Sequence, residues 1–419
     1  MTQRADVLII GGGIIGIACA DELARRGVSV MVIDQRDIGH GCSYGNAGWI
    51  TPCFALPLAM PGTVRQGLKW MLNPESPFYI KPRPSLSLLR WLGSFMRAAN
   101  EPQARRSAQA LVELSRYSLE AYREMDAQAD GAFGFTSRGL LMIAQTQTAR
   151  LAAVREMEWM AALGVPGREL DYQALRELEP AVAQEADVAG SVYFPDEAHL
   201  EPLKAVQWLA DRAQSRGAVL MPRTEVFEFR REGQRITGVR TTRGWLQADQ
   251  VVLAAGSWTA RLGRMLGLRV PILAGKGYSI VVEPIDAMPR IPWMLIDHKV
   301  AITPHRQALR IAGTLELVDL DESITTRRVE AILHNARRFL NLPDSPKIIE
   351  VWRGLRPCTP DGVPIIGRSS RLDNLLIAAG HQMLGMQTGP GTGRLVADLI
   401  TRQEPAFNPH PFRPARFAC

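Results

Sequence analysis

The sequence predicts a two-domain protein, with an α/β nucleotide-binding domain assembled from separate stretches of chain around an inserted α+β domain. Two kinds of pattern predict this fold. Apolar runs at residues 7–10, 250–255 and 374–379 each end at a glycine, which is typical of strands buried on both faces. Residues 270–350 instead alternate between apolar and polar side chains, which is typical of strands with one exposed face.

Composition narrows the class of protein. Hydrophobic residues make up 46% and charged residues 22% of the chain, so a large core can form. The net charge of +7 indicates either a solvated basic surface, which is its usual meaning, or one that favours an anionic substrate, an anionic cofactor or an acidic membrane surface. Because the basic residues are dispersed and no nucleic-acid-binding motif occurs, no nucleic-acid partner is expected. The five cysteines lack CxxC or metal-like spacing, which indicates free thiols in a reducing compartment and no metal. Because the run at 7–10 is too short for a signal peptide, we expect a cytoplasmic protein.

The strongest local signal lies near the N-terminus. A strand at 7–10 is followed by a glycine turn and by a helix expected over 14–25. A second strand over 28–33 ends at Asp34. The turn reads G-x-G-x-x-G and consists of Gly11, Gly12, Gly13, Ile14, Ile15 and Gly16. A glycine turn between a strand and a helix, with an acid about 20 residues further on, predicts a dinucleotide site.

Each residue of this motif has a physical role. Gly11 permits the tight turn, Gly13 lets the backbone approach a pyrophosphate, and Gly16 allows the helix to pack closely on the strand. The helix N-terminus offers N–H groups and partial positive charge to the phosphates. Asp34 can accept hydrogen bonds from ribose hydroxyls, and its charge disfavours a 2′-phosphate. The motif alone leaves FAD and NAD open.

Later segments extend the nucleotide domain. The small, hydroxyl-bearing loop at 41–48 can follow an extended cofactor. Strands are expected at 250–255 and 374–379, and a helix over 389–400 with Pro390 in its first turn. Because these pieces lie too far apart for one compact βαβαβ unit, we expect a second domain between them.

Between these segments, the patterns predict further helices and strands. Helices are expected over 107–125, 148–163 and 202–216. Strands are expected over 139–144, 218–221, 278–282, 299–303 and 309–313.

Taken together, these segments resemble the D-amino acid oxidase-like family of FAD oxidoreductases and, within it, the bacterial D-amino acid and D-hydroxyproline dehydrogenases. The resemblance covers nearly the whole chain. It is carried by residues 46–52, 59–62 with 68–71, 275–279, 354–362 and 380–381. It implies a Rossmann-like FAD-binding domain formed by 1–80, 188–268 and 350–419. The inserted α+β substrate domain, with a mainly antiparallel sheet, is then formed by 81–187 and 269–349.

The resemblance also implies an activity. The expected enzyme is an FAD-dependent dehydrogenase that removes hydride from the α-carbon of a small D-amino or imino acid, D-proline and cis-4-hydroxy-D-proline included. Electrons are expected to pass to a quinone or respiratory acceptor. The apolar stretch at 54–96 is expected either to contact a membrane peripherally or to form a lid or domain surface. A glycine- or sarcosine-type oxidase that uses O2, and an FAD-binding subunit of a heteromeric amine dehydrogenase, remain as alternatives.

Three residues are candidates for catalysis. The resemblance implies that Arg356 binds the substrate carboxylate, for which a guanidinium offers two parallel N–H groups; the alternative is an ion pair with Asp361. Tyr278 is expected either to donate its hydroxyl to the same carboxylate or to be an aromatic residue on a sheet face. His381 is expected either near the flavin ring or as a hydrogen-bonded loop residue. Arg310 is expected to face solvent.

Noncovalent FAD is the expected cofactor. Position 45 is glycine, where some related enzymes carry a linking histidine. The backbone of 385–388 is expected to meet the flavin. Val226 is expected either to meet the adenine through its backbone or to be a core residue of a strand. The residues expected to contact FAD are Gly11, Gly13, Ile14, Ile15, Gly16, Asp34, Gln35, Cys42, Ser43, Asn46, Ala47, Gly48, Val226, Ala255, Gly256, Gly385, Met386, Gln387 and Thr388.

Overall fold

The structure, a computed structural model, describes residues 3–60, 78–80, 85–417 and 419. The resemblance segments at 61–62 and 68–71 lie outside these ranges. The helices described are α1 (Ile14–Arg25), α2 (Leu86–Ala98), α3 (Glu101–Ala129), α4 (Gln147–Ala162), α5 (Tyr172–Leu178), α6 (Pro202–Ser215), α7 (Thr259–Met265), α8 (Thr326–Arg337) and α9 (Gly385–Thr401). No helix in the described ranges is long and apolar enough to span a bilayer.

The strands in the described ranges fall into two large sheets and one short pair. They are β1 (Gln3–Ile10), β2 (Val30–Ile33), β3 (Trp49–Ile50), β4 (Phe78–Ile80), β5 (Leu140–Ala144), β6 (Arg168–Leu170), β7 (Gly190–Phe194), β8 (Ala198–His199), β9 (Val219–Met221), β10 (Val226–Glu232), β11 (Arg235–Thr241), β12 (Gly244–Leu253), β13 (Leu273–Val282), β14 (Trp293–Leu295), β15 (Val300–His305), β16 (Ala308–Val318), β17 (Ile348–Cys358), β18 (Ile365–Arg368) and β19 (Leu375–Ala379).

The first sheet joins three separate stretches of chain, as predicted. Its order is β10-β11-β12-β1-β2-β9, with β19 beside the second half of β12 and β18 beside β19. The central strands β19, β12, β1, β2 and β9 are parallel. Strands β2 and β19 are buried along their whole length, because helices and connecting chain cover both faces of the sheet.

Helix α9 begins at Gly385, so Pro390 lies inside the helix and the expectation that it stands in the first turn is corrected. Pro390 has no N–H to donate to the Met386 carbonyl four residues before it. The hydroxyl of Tyr122 on α3 donates to that carbonyl instead, at 2.7 Å. The helix therefore tolerates an interior proline because its neighbour supplies the missing donor.

The second sheet has the order β17-β13-β16-β15-β14-β5-β7-β6, with β4 beside β16. All its pairs are antiparallel except β14 with β5 and β4 with β16. Strands β4, β7 and β17 pair here, although the expected boundaries assigned β4, β7 and all of β17 except its first two residues to the nucleotide domain. The division by sheet thus differs from the division expected from sequence.

The two faces of the second sheet meet different parts of the protein. On one face, Tyr278 and Ile280 share a core with Ile332 of α8. The other face lies against the 41–55 segment, where the Trp49 indole donates to the Thr303 hydroxyl at 2.8 Å. The cofactor loop is therefore placed over the face that carries the candidate substrate residues.

Candidate active site

A cleft with an empty volume of about 1170 Å³ lies at the carboxyl ends of β1, β2, β12 and β19. Such strand ends are the usual ligand site of open parallel sheets. Most residues expected to bind the cofactor line it, although they come from distant parts of the chain. They are Gly11, Gly13, Ile14, Ile15, Asp34, Gln35, Cys42, Ser43, Asn46, Val226, Ala255, Gly256, Gly385 and Met386.

Two helix N-termini open into this cleft. Helix α1 follows Gly13 and helix α9 follows Leu384. Neither of these two N-cap residues accepts a helix N–H with its own side chain. The Ile14 N–H donates to the Ser43 hydroxyl at 2.9 Å. A Cβ atom on Gly13 would stand 3.2 Å from that hydroxyl oxygen, so a side chain would crowd the turn. Two partially positive helix ends in one cleft suit an anionic dinucleotide.

Asp34 has the geometry expected of a ribose-binding acid. One carboxylate oxygen accepts the Gly12 N–H at 2.7 Å and the other accepts the Arg36 N–H at 2.8 Å. Each oxygen keeps a second lone pair for a ribose hydroxyl. Burial raises the pKa of Asp34, while the two backbone donors oppose that rise.

The other residues expected to contact the cofactor lie outside the lining of the cleft. Gly16 packs α1 on β1, since a Cβ there would stand 1.8 Å from the Gly11 carbonyl oxygen. Gly48 has a φ of +80°. The Gln387 amide accepts the Thr51 N–H at 3.1 Å and donates to Ser115 at 2.7 Å. Ala47 packs beside a core cluster, and the Thr388 hydroxyl donates to the Leu384 carbonyl.

Arg356 lies on β17, partly buried, with its guanidinium above Gly277 on the neighbouring strand. Nη1 donates to the Thr314 carbonyl at 2.7 Å. The alternative ion pair does not form, because Asp361 binds Arg416 at 2.8 Å. No carboxylate in the described ranges pairs with Arg356. Loss of water lowers the pKa of Arg356, which increases the advantage of an incoming anion.

The expectation that Tyr278 binds the same carboxylate as Arg356 is corrected. Successive side chains of a strand point to opposite faces, so Tyr278 lies on the other side of the sheet from the position of Gly277. Its hydroxyl donates to Glu316 at 2.8 Å inside the core formed with α8. Period-two alternation predicted the strand, but not which of its residues face α8 and which face the cofactor loop.

His381 lines the cleft and also makes a buried hydrogen bond, with Nε2 3.0 Å from the Thr392 hydroxyl. Both alternatives drawn from the sequence are therefore compatible with its position. Burial lowers the pKa of His381 to about 3, so the ring is neutral at physiological pH. A neutral imidazole in this position can orient a ligand but brings no positive charge.

Several residues near the site were missed from the sequence. Arg36 and Trp258 line the cleft. Arg310 does not face solvent as expected: it donates to the Tyr44 and Asn46 carbonyls, at 3.3 and 3.2 Å, and so holds the cofactor loop. Arg36 could have been found from the sequence, because it stands only two residues after Asp34, the acid expected to bind ribose. The contacts of Arg310 span more than 260 residues, and no local pattern reveals them.

The indole of Trp352 fills the space next to Gly45. A Cβ atom on Gly45 would stand 2.0 Å from the indole, and a Cβ atom on Gly354 would stand 2.1 Å from it. The ring is therefore held between the cofactor loop and β17. A side chain at position 45 would therefore have to displace the indole of Trp352.

Comparisons with known proteins agree with this geometry. The family model described as "FAD dependent oxidoreductase" (DAO) matches residues 6–399. A D-amino acid dehydrogenase of Cereibacter sphaeroides is 32% identical over 95% of this chain and 92% of that protein. One of Granulibacter bethesdensis is 31% identical over 98% of this chain and 99% of that protein. The glycine oxidase structure from Geobacillus kaustophilus has a TM-score of 0.79 and 28% identity, and 98% of each chain is covered.

The match to the family model and the full-length similarity to these relatives assign both family and cofactor. The chain belongs to the DAO family of FAD-dependent oxidoreductases, and FAD is its cofactor.

Proposed function

We propose that the protein is an amino acid dehydrogenase that oxidises the Cα–N bond of small D-amino or imino acids and transfers the electrons to a quinone. The observation that carries this proposal is Arg356, a partly buried guanidinium on the sheet face beside the cofactor loop with no carboxylate partner among the described residues. The full-length similarity to D-amino acid dehydrogenases supports it.

Arg356, FAD and His381 have different roles in the proposed reaction. Arg356 binds the donor carboxylate and orients the α-carbon. FAD, when bound, supplies the acceptor for the hydride that leaves this carbon. Neutral His381 does not repel a developing positive charge on the amine. The donor must bind with its amine unprotonated. Water then hydrolyses the imine formed from an acyclic amino acid to a 2-oxo acid and ammonia. The imine formed from a proline-like donor remains cyclic.

A compact donor suits the surroundings of Arg356. Gly277 and Gly354 are opposite each other on β13 and β17. The guanidinium of Arg356 lies above Gly277, and the indole of Trp352 lies above Gly354. The Cβ positions of such a pair are about 5 Å apart, so the guanidinium and indole are neighbours. An aromatic face beside the carboxylate-binding group favours a small apolar or cyclic side chain, such as that of D-alanine or D-proline.

The test is anaerobic mixing of the yellow holoenzyme with single amino acids. We expect D-alanine or D-proline to bleach the flavin absorbance and the L-enantiomers to leave it unchanged. Bleaching by glycine and sarcosine alone, with rapid peroxide formation in air, would instead establish the oxidase alternative, which the similarity to glycine oxidase favours. A holoenzyme that no D-amino acid reduces contradicts the proposal.

A membrane-soluble acceptor is supported by α2. Leu86, Leu89 and Met96 are 61%, 66% and 57% exposed, and the adjacent Arg90 and Arg97 are also exposed. An apolar stripe beside basic side chains suits the surface of an anionic bilayer. On the opposite side of the helix, the Trp91 indole donates to the Cys358 carbonyl at 3.0 Å, two residues from Arg356.

Co-flotation with vesicles tests the membrane contact. We expect binding to vesicles that contain anionic lipid, release by high salt, and loss of binding in Leu86→Ser/Leu89→Ser. The matched control is Leu151→Ser, since Leu151 is 46% exposed on α4. Flotation that these α2 substitutions leave unchanged, or no flotation at all, contradicts this part of the proposal.

A further inference from the structure

A turn that leaves the second sheet reaches the edge of the FAD cleft. It comprises residues 319–323, between β16 and α8. Glu322 in this turn forms an ion pair with Arg36, which follows β2 and lines the cleft. The two residues are 286 positions apart in sequence. The contact therefore links the sheet that carries Arg356 to the unit that carries the dinucleotide motif.

A single guanidinium nitrogen of Arg36 makes both contacts of the pair. Nη2 of Arg36 lies 2.5 and 2.7 Å from the two carboxylate oxygens of Glu322. The Arg36 guanidinium carbon also lies 5.3 Å from the centroid of the Trp258 ring, which lines the same cleft. Both side chains of the pair are about one third exposed, at 30% and 34%. Arg36 is thus held from two sides at the wall of the cleft.

The turn itself is anchored on the second sheet. Lys276 on β13 binds Asp321 at 3.1 Å, and the Lys276 side chain is only 2% exposed. Arg353 on β17 donates to the Glu322 carbonyl at 2.8 Å and lies 3.3 Å from the Glu322 carboxylate. The Ser323 N–H donates to Asp321 at 3.0 Å. Glu322 is therefore presented to Arg36 from a fixed support rather than from a free loop.

We infer that Glu322 is a positioning residue for FAD: it holds the Arg36 guanidinium at the wall of the cleft beside Asp34, so that bound FAD is released only after this pair opens. The inference concerns retention of the cofactor and does not depend on which donor is oxidised. Glu322 lies outside the glycine motifs that predict the nucleotide site, and it acts through Arg36.

The experiment measures FAD release from the holoenzyme. Holoenzyme is diluted to nanomolar concentration, and the rise of flavin fluorescence is followed for wild type, Glu322→Gln, Arg36→Gln and the double variant. Because an ion pair that is about one third exposed contributes modestly, we expect release to be about 3- to 10-fold faster in each single variant. The double variant should be no faster than the single ones, because both remove the same contact. High salt should accelerate wild type towards the variants and change Glu322→Gln little.

Glu283→Gln is the matched control, because Glu283 forms an exposed pair with Lys347 on the same sheet. It should release FAD at the wild-type rate. Equal melting temperatures of the apoproteins separate an effect on the cofactor from a general loss of stability. Wild-type release from Glu322→Gln, or additive effects in the double variant, overturns the inference. Bleaching of the flavin by an amino acid, measured on the same samples, tests the proposed function separately. FAD release can still be measured from a holoenzyme that is inactive.

Discussion

Arg356 and Gly277 occupy one place on the second sheet. A Cβ atom on Gly277 would stand 2.1 Å from Nη1 of Arg356 and 2.5 Å from its Cζ. The guanidinium therefore lies where any other residue at 277 would project its side chain. The position of the candidate carboxylate-binding group is set as much by this missing side chain as by the arginine itself.

Gly277→Ala tests this relationship. The added methyl must displace the guanidinium, at an overpacking cost of about 1–3 kcal/mol, so we expect KM for the amino acid donor to rise about tenfold or more. FAD affinity should not change, since Gly277 does not line the cofactor cleft. Steady-state kinetics and flavin titration measure the two quantities.

Ser279→Ala is the control for that variant. Ser279 lies two residues along the same strand on the same face, and its hydroxyl has no hydrogen-bond partner in the described part of the chain. Removing the hydroxyl should leave KM within about twofold of wild type, because no bond is lost. An unchanged KM in Gly277→Ala would show that Arg356 tolerates displacement or does not bind the donor.

The first sheet and its cleft were predictable because their signals are local. Glycines at fixed spacing, the acid at 34 and fully apolar runs encode the turn, the carboxylate at the wall of the cleft and the buried strands within about 30 residues. The helix expected over 14–25 has the same bounds in the structure. By contrast, Pro390 was wrongly expected in the first turn of α9, because proline is typical of first turns and the compensating hydroxyl of Tyr122 lies 264 residues from Met386.

The strands of the second sheet could be predicted from the sequence, but what each face of the sheet packs against could not. Alternation identifies two faces, and only the packed structure shows that Tyr278 faces α8 while Arg356 faces the cofactor loop. Arg310 was misassigned for the same reason, since its acceptors are carbonyls of a remote loop. The contact of Arg36 with Glu322 depends on how the two sheets pack together. No spacing between residues in the sequence predicts that packing.

Gly45→Ala should weaken the cofactor loop. Its methyl would stand 2.0 Å from the indole of Trp352, which is itself held against Gly354. We expect a lower melting temperature and faster FAD loss, with a cost of about 1–3 kcal/mol. In a Trp352→Ala background the same substitution should cost little, because the indole is gone. Thermal melts of the four proteins form the cycle, and an equal cost in both backgrounds would contradict the packing described.

His381→Gln should leave the pH dependence of kcat/KM in place. Because burial lowers the pKa of His381 to about 3, the ring carries no charge between pH 5 and 9 in the folded protein. Glutamine can keep the hydrogen bond to Thr392, so the pH midpoint should stay within a few tenths of wild type even if kcat changes. A midpoint that moved by a full unit would assign the titration to His381 rather than to the donor amine.

Glu197 should make the protein lose stability as pH rises. It is 1% exposed, and its carboxyl accepts the Cys53 N–H at 2.9 Å. Burial raises the pKa of Glu197 from 4.5 to about 8, so the folded protein keeps a proton that the unfolded chain releases above pH 4.5. The stabilisation from this proton is fully present below pH 4.5 and is lost as pH rises towards about 8, by at most about 1.4 kcal/mol per pH unit.

Glu197→Gln removes the titration and keeps an acceptor for the Cys53 N–H. The unfolding free energy of wild type should therefore fall relative to that of the variant between pH 5 and 8, with the largest difference at the alkaline end. Urea melts at pH 5, 6, 7 and 8 measure it, with Glu283→Gln as the exposed control. Parallel curves for wild type and Glu197→Gln would mean that the carboxyl is ionised in the folded protein at neutral pH, despite its burial.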